Sequence, residues 1–412
     1  MPARPQEMRC HKMSTMTFEK TLVPNPRPAA HGCNACEIPD GRVWLMWYAG
    51  TREGVEDQRV LMSVRNADGN WSEPQVLVDH FQHSNDRWVP EIAAPMILEN
   101  GEHWVVFSAA PLARFRFREE RNLFLRDLEY ARLFHAKIDP RTWSISSPIE
   151  LFDREALILQ GKNVQLANGS WLVLCNSRDS QGRFSSTLVQ GSPHDGWEQV
   201  CDLEAEPGCL EPSVAQLPDG RLLCYMRNAG YDGCIWRSES DNSPSDFSTP
   251  SQTTLRNPHS GIDIAADEEG RLFIAYNDSH RMRTPLTLGI SVDEGRTFRC
   301  RDIETSSGEF SYPKLLQTCD GQWQVFYTHR RECIAHVEEL FVLALELIEA
   351  GIGAELCHLA GDLGQFRAGH QRPPLRQRSA HGYGRTCLGL AMNMEIIHEL
   401  FRAHEPDSHA AI

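Results

Sequence analysis

The 412-residue chain has no run of eighteen uncharged apolar residues, which excludes an ordinary membrane-spanning helix. Its first residues, "MPARPQEMRCHKMSTMTFEK", lack the apolar core of a secretory signal. No basic stretch offsets a formal net charge of −15, which argues against nucleic acid or an anionic membrane as partner. An anionic small substrate stays open, because a local arginine cluster overrides a diffuse negative field. Cys33 and Cys36 form a C-x-x-C with no second pair at zinc-site spacing, so small core residues account for them better than a metal. Neither a metal nor another cofactor is expected. Without an export signal, the thirteen cysteines read as reduced thiols rather than a disulfide framework, and the expected location is cytoplasmic.

What is present is a repeat. An apolar run reaches a turn of the type Asp/Asn/Glu-Gly and is followed by a second run rich in Trp, Val, Leu and Tyr. The six copies are "CEIPDGRVWLMWYAG", "PMILENGEHWVVFSAA", "NVQLANGSWLVLCNSR", "SVAQLPDGRLLCYMRN", "DIAADEEGRLFIAYND" and "PKLLQTCDGQWQVFYTHR". Their turn glycines are Gly41, Gly101, Gly169, Gly220, Gly270 and Gly321. Asp-Gly between two β-rich runs predicts a hairpin with a primed turn, which needs positive φ. Six hairpins at roughly fifty-residue spacing predict blades of about four short strands, hence an all-β, six-bladed β-propeller. One such domain occupies about 320 residues, which accounts for a chain longer than ordinary single domains.

Three other segments have a plain reading. "SVDEGRTF", Ser291–Phe298, matches the Asp-box, in which the aspartate bonds its own turn and the aromatic packs beneath it. "SVRNADGNW", Ser63–Trp71, is a looser copy. "RFRFREERNLFLRDLEYARLF", Arg114–Phe134, reads as a charged, solvated insertion with helical character. The expected organisation is a flexible N-terminus at 1–16, a propeller at 17–337 and a tail at 338–412. That tail starts as the amphipathic helix "EELFVLALELIEAG" and continues as a flexible Pro/Arg-rich stretch.

From about Thr17 to His336 the chain resembles the sialidase (neuraminidase) superfamily, in its Asp-box-repeat branch. The likeness lies in "EPSVAQLPDGRLLCYMRN", in "NPHSGIDIAADEEGRLFIAYNDSHRMRTPLTLGISVDEGRTF" and in "GEFSYPKLLQTCDGQWQVFY". It implies a six-bladed propeller of sialidase type with its site over the central funnel. "FSYPKLLQTCDG" resembles the strand whose tyrosine is the nucleophile, which is Tyr312 here. "LEPSVAQLPDGRLLCYMR" resembles the element that supplies the activating carboxylate, Glu211, and one arginine of a substrate-binding triad, Arg227. "RMRTPLTLGISVDEG" resembles the carrier of a second triad arginine, Arg283, with Arg281 the second choice. "GTREGVEDQRVLMSVR" resembles the loop bearing the general acid/base, Asp57. The chain departs from the family at His31, where a triad arginine is expected; Arg52, Arg330 and Arg331 are the residues that would replace its charge.

These residue types belong together chemically. A sugar with a carboxylate on its anomeric carbon repels an anionic nucleophile, whereas a phenol deprotonated as it attacks avoids that repulsion. Tyrosine's pKa near 10 makes it sluggish without a base and nearby positive charge. Guanidinium groups grip a carboxylate bidentately. Lys162 and Asp263 open the inner strands of the third and fifth repeats and are expected in the funnel, with Glu91 a weaker candidate. His259 and His336 are candidate site linings. The expectation is an exo-glycosidase that takes a glycan or small sugar acid. A non-catalytic carbohydrate-binding propeller and a lyase acting on uronic-acid glycans are the competing readings.

Overall fold

In each repeat the second apolar run is too continuous for a strand with one wet face. Val43–Gly50 and His103–Pro111 are buried at every position. A strand reads this way when sheets cover both of its faces, and the architecture provides that cover. The computed structural model describes residues 9–12 and 20–338, apart from 67, 120–122, 179–181 and 231. These form six sheets of four or five strands, antiparallel except for one parallel edge pairing, arranged as the blades of a propeller.

The inner strands are Ala29–Glu37 in blade 1, Asp86–Ile97 in blade 2 and Val164–Gln165 with Leu157–Leu159 in blade 3. Blades 4, 5 and 6 contribute Cys209–Gln216, Asp263–Ala266 and Phe310–Gln317. Six apolar clusters fill the spaces between blades, one for each neighbouring pair. Trp44 and Met46 of blade 1 meet Val105 and Phe107 of blade 2, for example. The ring closes where Phe326 and Ile334 of blade 6 meet Val43 and Trp47 of blade 1. Closure is also a matter of hydrogen bonding. Lys20–Val23, from the start of the chain, pairs antiparallel with Cys333–Val337 as the outer strand of blade 6.

The turn chemistry differs from the primed turn expected. In all six hairpins only the glycine has positive φ, between 79° and 94°. Its N–H donates to the carbonyl three residues earlier, as Gly41 does to Ile38 at 2.9 Å. The residue before the glycine keeps negative φ, so this is a type I turn followed by a left-handed glycine. The Asp-box behaves as a structural turn. Asp293 accepts from the Thr297 N–H at 2.8 Å and the Thr297 hydroxyl at 2.7 Å, while Phe298 is wholly buried.

Two segments depart from their sequence reading. The insertion after the second hairpin forms a ribbon, Arg116–Arg118 with Leu123–Leu125, and two short 3₁₀ turns rather than an α-helix. Arg9–Lys12, inside the segment expected to be flexible, pairs in parallel with the last strand of blade 5. The helix and flexible stretch expected after Glu338 lie outside the described residues.

Candidate functional site

The inner strands of blades 1, 2, 4 and 6 share one irregularity near their starts. Their pairing register slips between His31 and Asn34, Pro90 and Ala93, Leu210 and Ser213, and Ser311 and Lys314. A bulge of this kind re-aims a side chain that regular pleating would send sideways into a neighbouring blade. The bulged pairs begin with Gly32, Glu91, Glu211 and Tyr312. Glu211 and Tyr312 both have φ of 54°, a conformation that costs a non-glycine residue about 1–3 kcal/mol. Two residues are therefore held in strained backbone at equivalent places in two blades.

Those two residues touch. The Tyr312 hydroxyl donates to Glu211 Oε1 at 2.6 Å. Arg227, opposite Leu210 on the next strand, donates from Nη1 to the Tyr312 oxygen at 2.6 Å and also to Glu211 Oε1. The second carboxylate oxygen of Glu211 has no partner. Gly261 makes room for the pair: a Cβ there would lie 3.1 Å from both Glu211 Oε2 and the Tyr312 ring. Each of the three side chains is less than one-tenth exposed. Burial drives the phenol's pKa well above 10, and the charges of Arg227 and Arg283 work against that rise.

Around this core stands a ring of ion pairs. Arg283, its guanidinium 5.5 Å from the Tyr312 ring centre, donates to Glu309 Oε1 at 2.7 Å. Arg331 donates to the same oxygen at 2.9 Å and pairs with Glu53. Partly buried Arg126 pairs with buried Glu91 at 2.7 Å. Arginine and glutamate thus alternate around the funnel, with Arg227–Glu211 beneath. Burial alone would raise the Glu53 carboxyl, but neighbouring His31, Arg331 and Arg126 outweigh it and hold the group below the usual range.

His31, where an arginine was expected, packs its ring 4.2 Å from that of Tyr312, and Nδ1 lies 2.9 Å from the Thr328 hydroxyl. Burial, and secondly the charge of Arg331, lower its pKa to about 3, so it is neutral near pH 7. Of the candidate replacements, Arg331 lies beside His31. Arg52 is exposed and lines a small recess with His31, Tyr48 and Glu53. Arg330 lies at the rim over Phe310, and Arg281 pairs with Asp232 at the surface.

The other expected residues have the following partners. Asp57 folds back on its own loop and accepts from the Thr51 N–H at 3.0 Å and hydroxyl at 2.6 Å. Lys162 and Asp263 meet each other at 2.9 Å. Asp263 is fully buried and also accepts from Ser213 and from the Leu315 N–H, so the pair ties blades 3, 4, 5 and 6 together beneath the funnel rather than facing a ligand. His259 is a site neighbour: its carbonyl accepts from Arg283 at 3.1 Å. His336 stacks on Phe326 in the packing of blade 6, away from the funnel. Cys33 and Cys36 carry free thiols.

Sequence reasoning missed Glu53, Glu309 and Arg126. Glu309 and Glu53 stand inside "GEFSYP" and "GTREG", the stretches that yielded Tyr312 and Arg52. Arg126 was hidden in an insertion read as solvated.

A strained tyrosine, its carboxylate and an arginine-lined funnel on six blades define a propeller of sialidase type. The description "BNR repeat-like domain" matches residues 41–325, more than half of the chain, and the protein belongs to that family. Solved structures agree in fold. The Hadza microbial sialidase Hz136 superposes with a TM-score of 0.63 at 15% identity, over 76% of this chain and 66% of its own. A Dyadobacter fermentans protein of unknown function does so with 0.64 at 14%, over 78% and 98%. The Trypanosoma rangeli sialidase, in a covalent intermediate with 2,3-difluorosialic acid, gives 0.61 at 15%, over 82% of this chain and 60% of its own. No curated protein sequence matches the chain.

Proposed function

We propose that the protein is a retaining exo-glycosidase that removes a terminal sugar bearing a carboxylate, sialic acid or a relative of it. The observation that carries this reading is the Tyr312 hydroxyl, 2.6 Å from both a carboxylate oxygen of Glu211 and a nitrogen of Arg227. As the phenol oxygen attacks the anomeric carbon, its proton passes to Glu211 and Arg227 stabilises the developing phenolate. The glycosidic C–O bond breaks, and its oxygen takes a proton from Asp57. Water, deprotonated by the same carboxylate, then displaces the tyrosine, which recovers its proton from Glu211. Arg283 and Arg331 receive the substrate carboxylate, which replaces Glu309 between them. The covalent intermediate of the Trypanosoma rangeli sialidase supports the covalent route by analogy of fold.

The test uses a 4-methylumbelliferyl sialoside beside aryl glycosides of other nonulosonic and uronic acids. Wild type should turn over at least one of them, and Tyr312→Phe should lower kcat by about 10³ or more while leaving the thermal melt unchanged. Unchanged turnover in Tyr312→Phe rejects the nucleophile. A non-catalytic carbohydrate-binding propeller is the second reading, favoured by neutral His31 and by the arginines already paired to Glu309. It requires saturable sugar binding with no product from any substrate.

A further inference from the structure

A sizeable cavity lies outside the funnel. Between blades 2 and 3, at the hairpin-turn ends of the inner strands, a groove of about 790 Å³ opens to solvent. Its size suits a ligand of several rings, because small-molecule sites span about 300–1,000 Å³. The turn at Asn100–Gly101 forms one wall and the turn at Asn168–Gly169 another. Glu91, in the funnel, lies midway along the same inner strand that ends at Ile97, so the two places are separated by about 20 Å of extended chain.

The lining has the chemistry of sugar recognition. Trp171 and Trp197 supply flat apolar faces, while Gln165 and Asn168 supply amides that both donate and accept. The aromatic wall is braced from behind. Trp197 meets His135 edge-on at 6.1 Å, and His135 stacks on Trp104 at 5.3 Å. Glu102 fixes that layer by accepting from Trp104 Nε1 at 3.1 Å and by pairing with Lys137 and His194. The charge differs from that of the funnel, where each arginine is matched by a glutamate. Among the described residues no lysine or arginine lines the groove, and Glu99, Asp195 and Glu198 are carboxylates there. A sugar acid would be repelled from these walls, whereas an uncharged glycan brings hydroxyls for the carboxylates and amides and C–H faces for the tryptophans.

We propose that this groove is a second carbohydrate site, which binds an uncharged oligosaccharide. It would hold a neutral stretch of glycan while the funnel takes a terminal residue of another molecule or branch.

Titration calorimetry of the full chain against cellohexaose, mannohexaose and galactohexaose tests this, with 3′-sialyllactose and spermine as charged probes. At least one neutral hexaose should bind saturably. Trp197→Ala and Gln165→Ala should each weaken that binding about tenfold or more, and Tyr312→Phe should leave it intact. Gln165 is exposed, so its variant remains decisive if Trp197→Ala fails to fold. Binding of spermine alone, the absence of binding by all three hexaoses, or binding indifferent to both groove variants would each overturn the proposal. Because the readout involves no turnover, it stands or falls separately from the glycosidase assignment.

Discussion

Glu53 and Asp57 stand in the loop between the second and third strands of blade 1, and they differ in what holds them. Glu53 is ion-paired with Arg331, which keeps it a carboxylate and a poor proton donor. Asp57 accepts from Thr51, contacts that an incoming substrate can replace. Asp57→Asn should therefore slow hydrolysis of substrates with alkyl leaving groups by about 10²–10³, and much less for a 4-methylumbelliferyl leaving group that needs no protonation. Glu53→Gln should affect both substrates alike, through Arg331. A reversed pattern in kcat/KM would transfer the acid role to Glu53. The legibility of these residues was uneven for a physical reason. Tyr312, Glu211 and Arg227 each sit in a local pattern of strand, proline and turn. The partners of Arg331 and Arg126 are set by distances between loops of different blades, which no local pattern encodes.

Elements were legible where backbone chemistry is local. A glycine after Asp, Asn or Glu at the end of an apolar run marked every hairpin, although the turn type was misjudged because Asp-Gly also serves a type I turn with a left-handed glycine. The same chemistry predicts graded costs. Nothing lies within 4 Å of a Cβ built on Gly101, so Gly101→Ala should cost only backbone strain, about 1–2 kcal/mol. At Gly295, in the Asp-box, a Cβ would stand 2.3 Å from the Tyr225 oxygen. Gly295→Ala should cost about 2–4 kcal/mol, strain plus overpacking. Urea midpoints at constant slope measure both, and equal shifts would contradict this account. The bulges of the inner strands were not legible. Nothing in "LEPSVAQ" or "SYPKLLQ" announces a register slip, which is defined only against the partner strand.

For the molecule as a whole, stability rests on ring closure and on polar groups kept neutral in the packing. Val23 is buried against Ile334 at the closing strand, whereas Leu22 beside it is half exposed. Val23→Asp should destabilise the protein by about 3 kcal/mol or more by burying an unpaired charge, and Leu22→Asp by about 0.5 kcal/mol or less. Similar melting temperatures for the two variants would argue against the closure. His31 and His336 are both buried with pKa lowered to about 3, from 6.5. The unfolded chain binds protons at these sites between pH 6.5 and about 3 and the folded chain does not. Stability should therefore fall as pH drops through that window, by up to about 1.4 kcal/mol per unit for each histidine. His336→Gln should flatten the fall, as followed by urea titration at each pH. What the sequence by itself determined was the number and spacing of hairpins, and so the propeller, because turns and paired apolar runs are short-range features repeated six times. Only the tertiary structure decided that four bulged strands converge on one funnel, that its arginines are already matched by glutamates, and that Lys162 and Asp263 brace it from below. Each of these depends on which side chains closing the ring brings within a few ångströms, and the order of residues along the chain does not contain that distance.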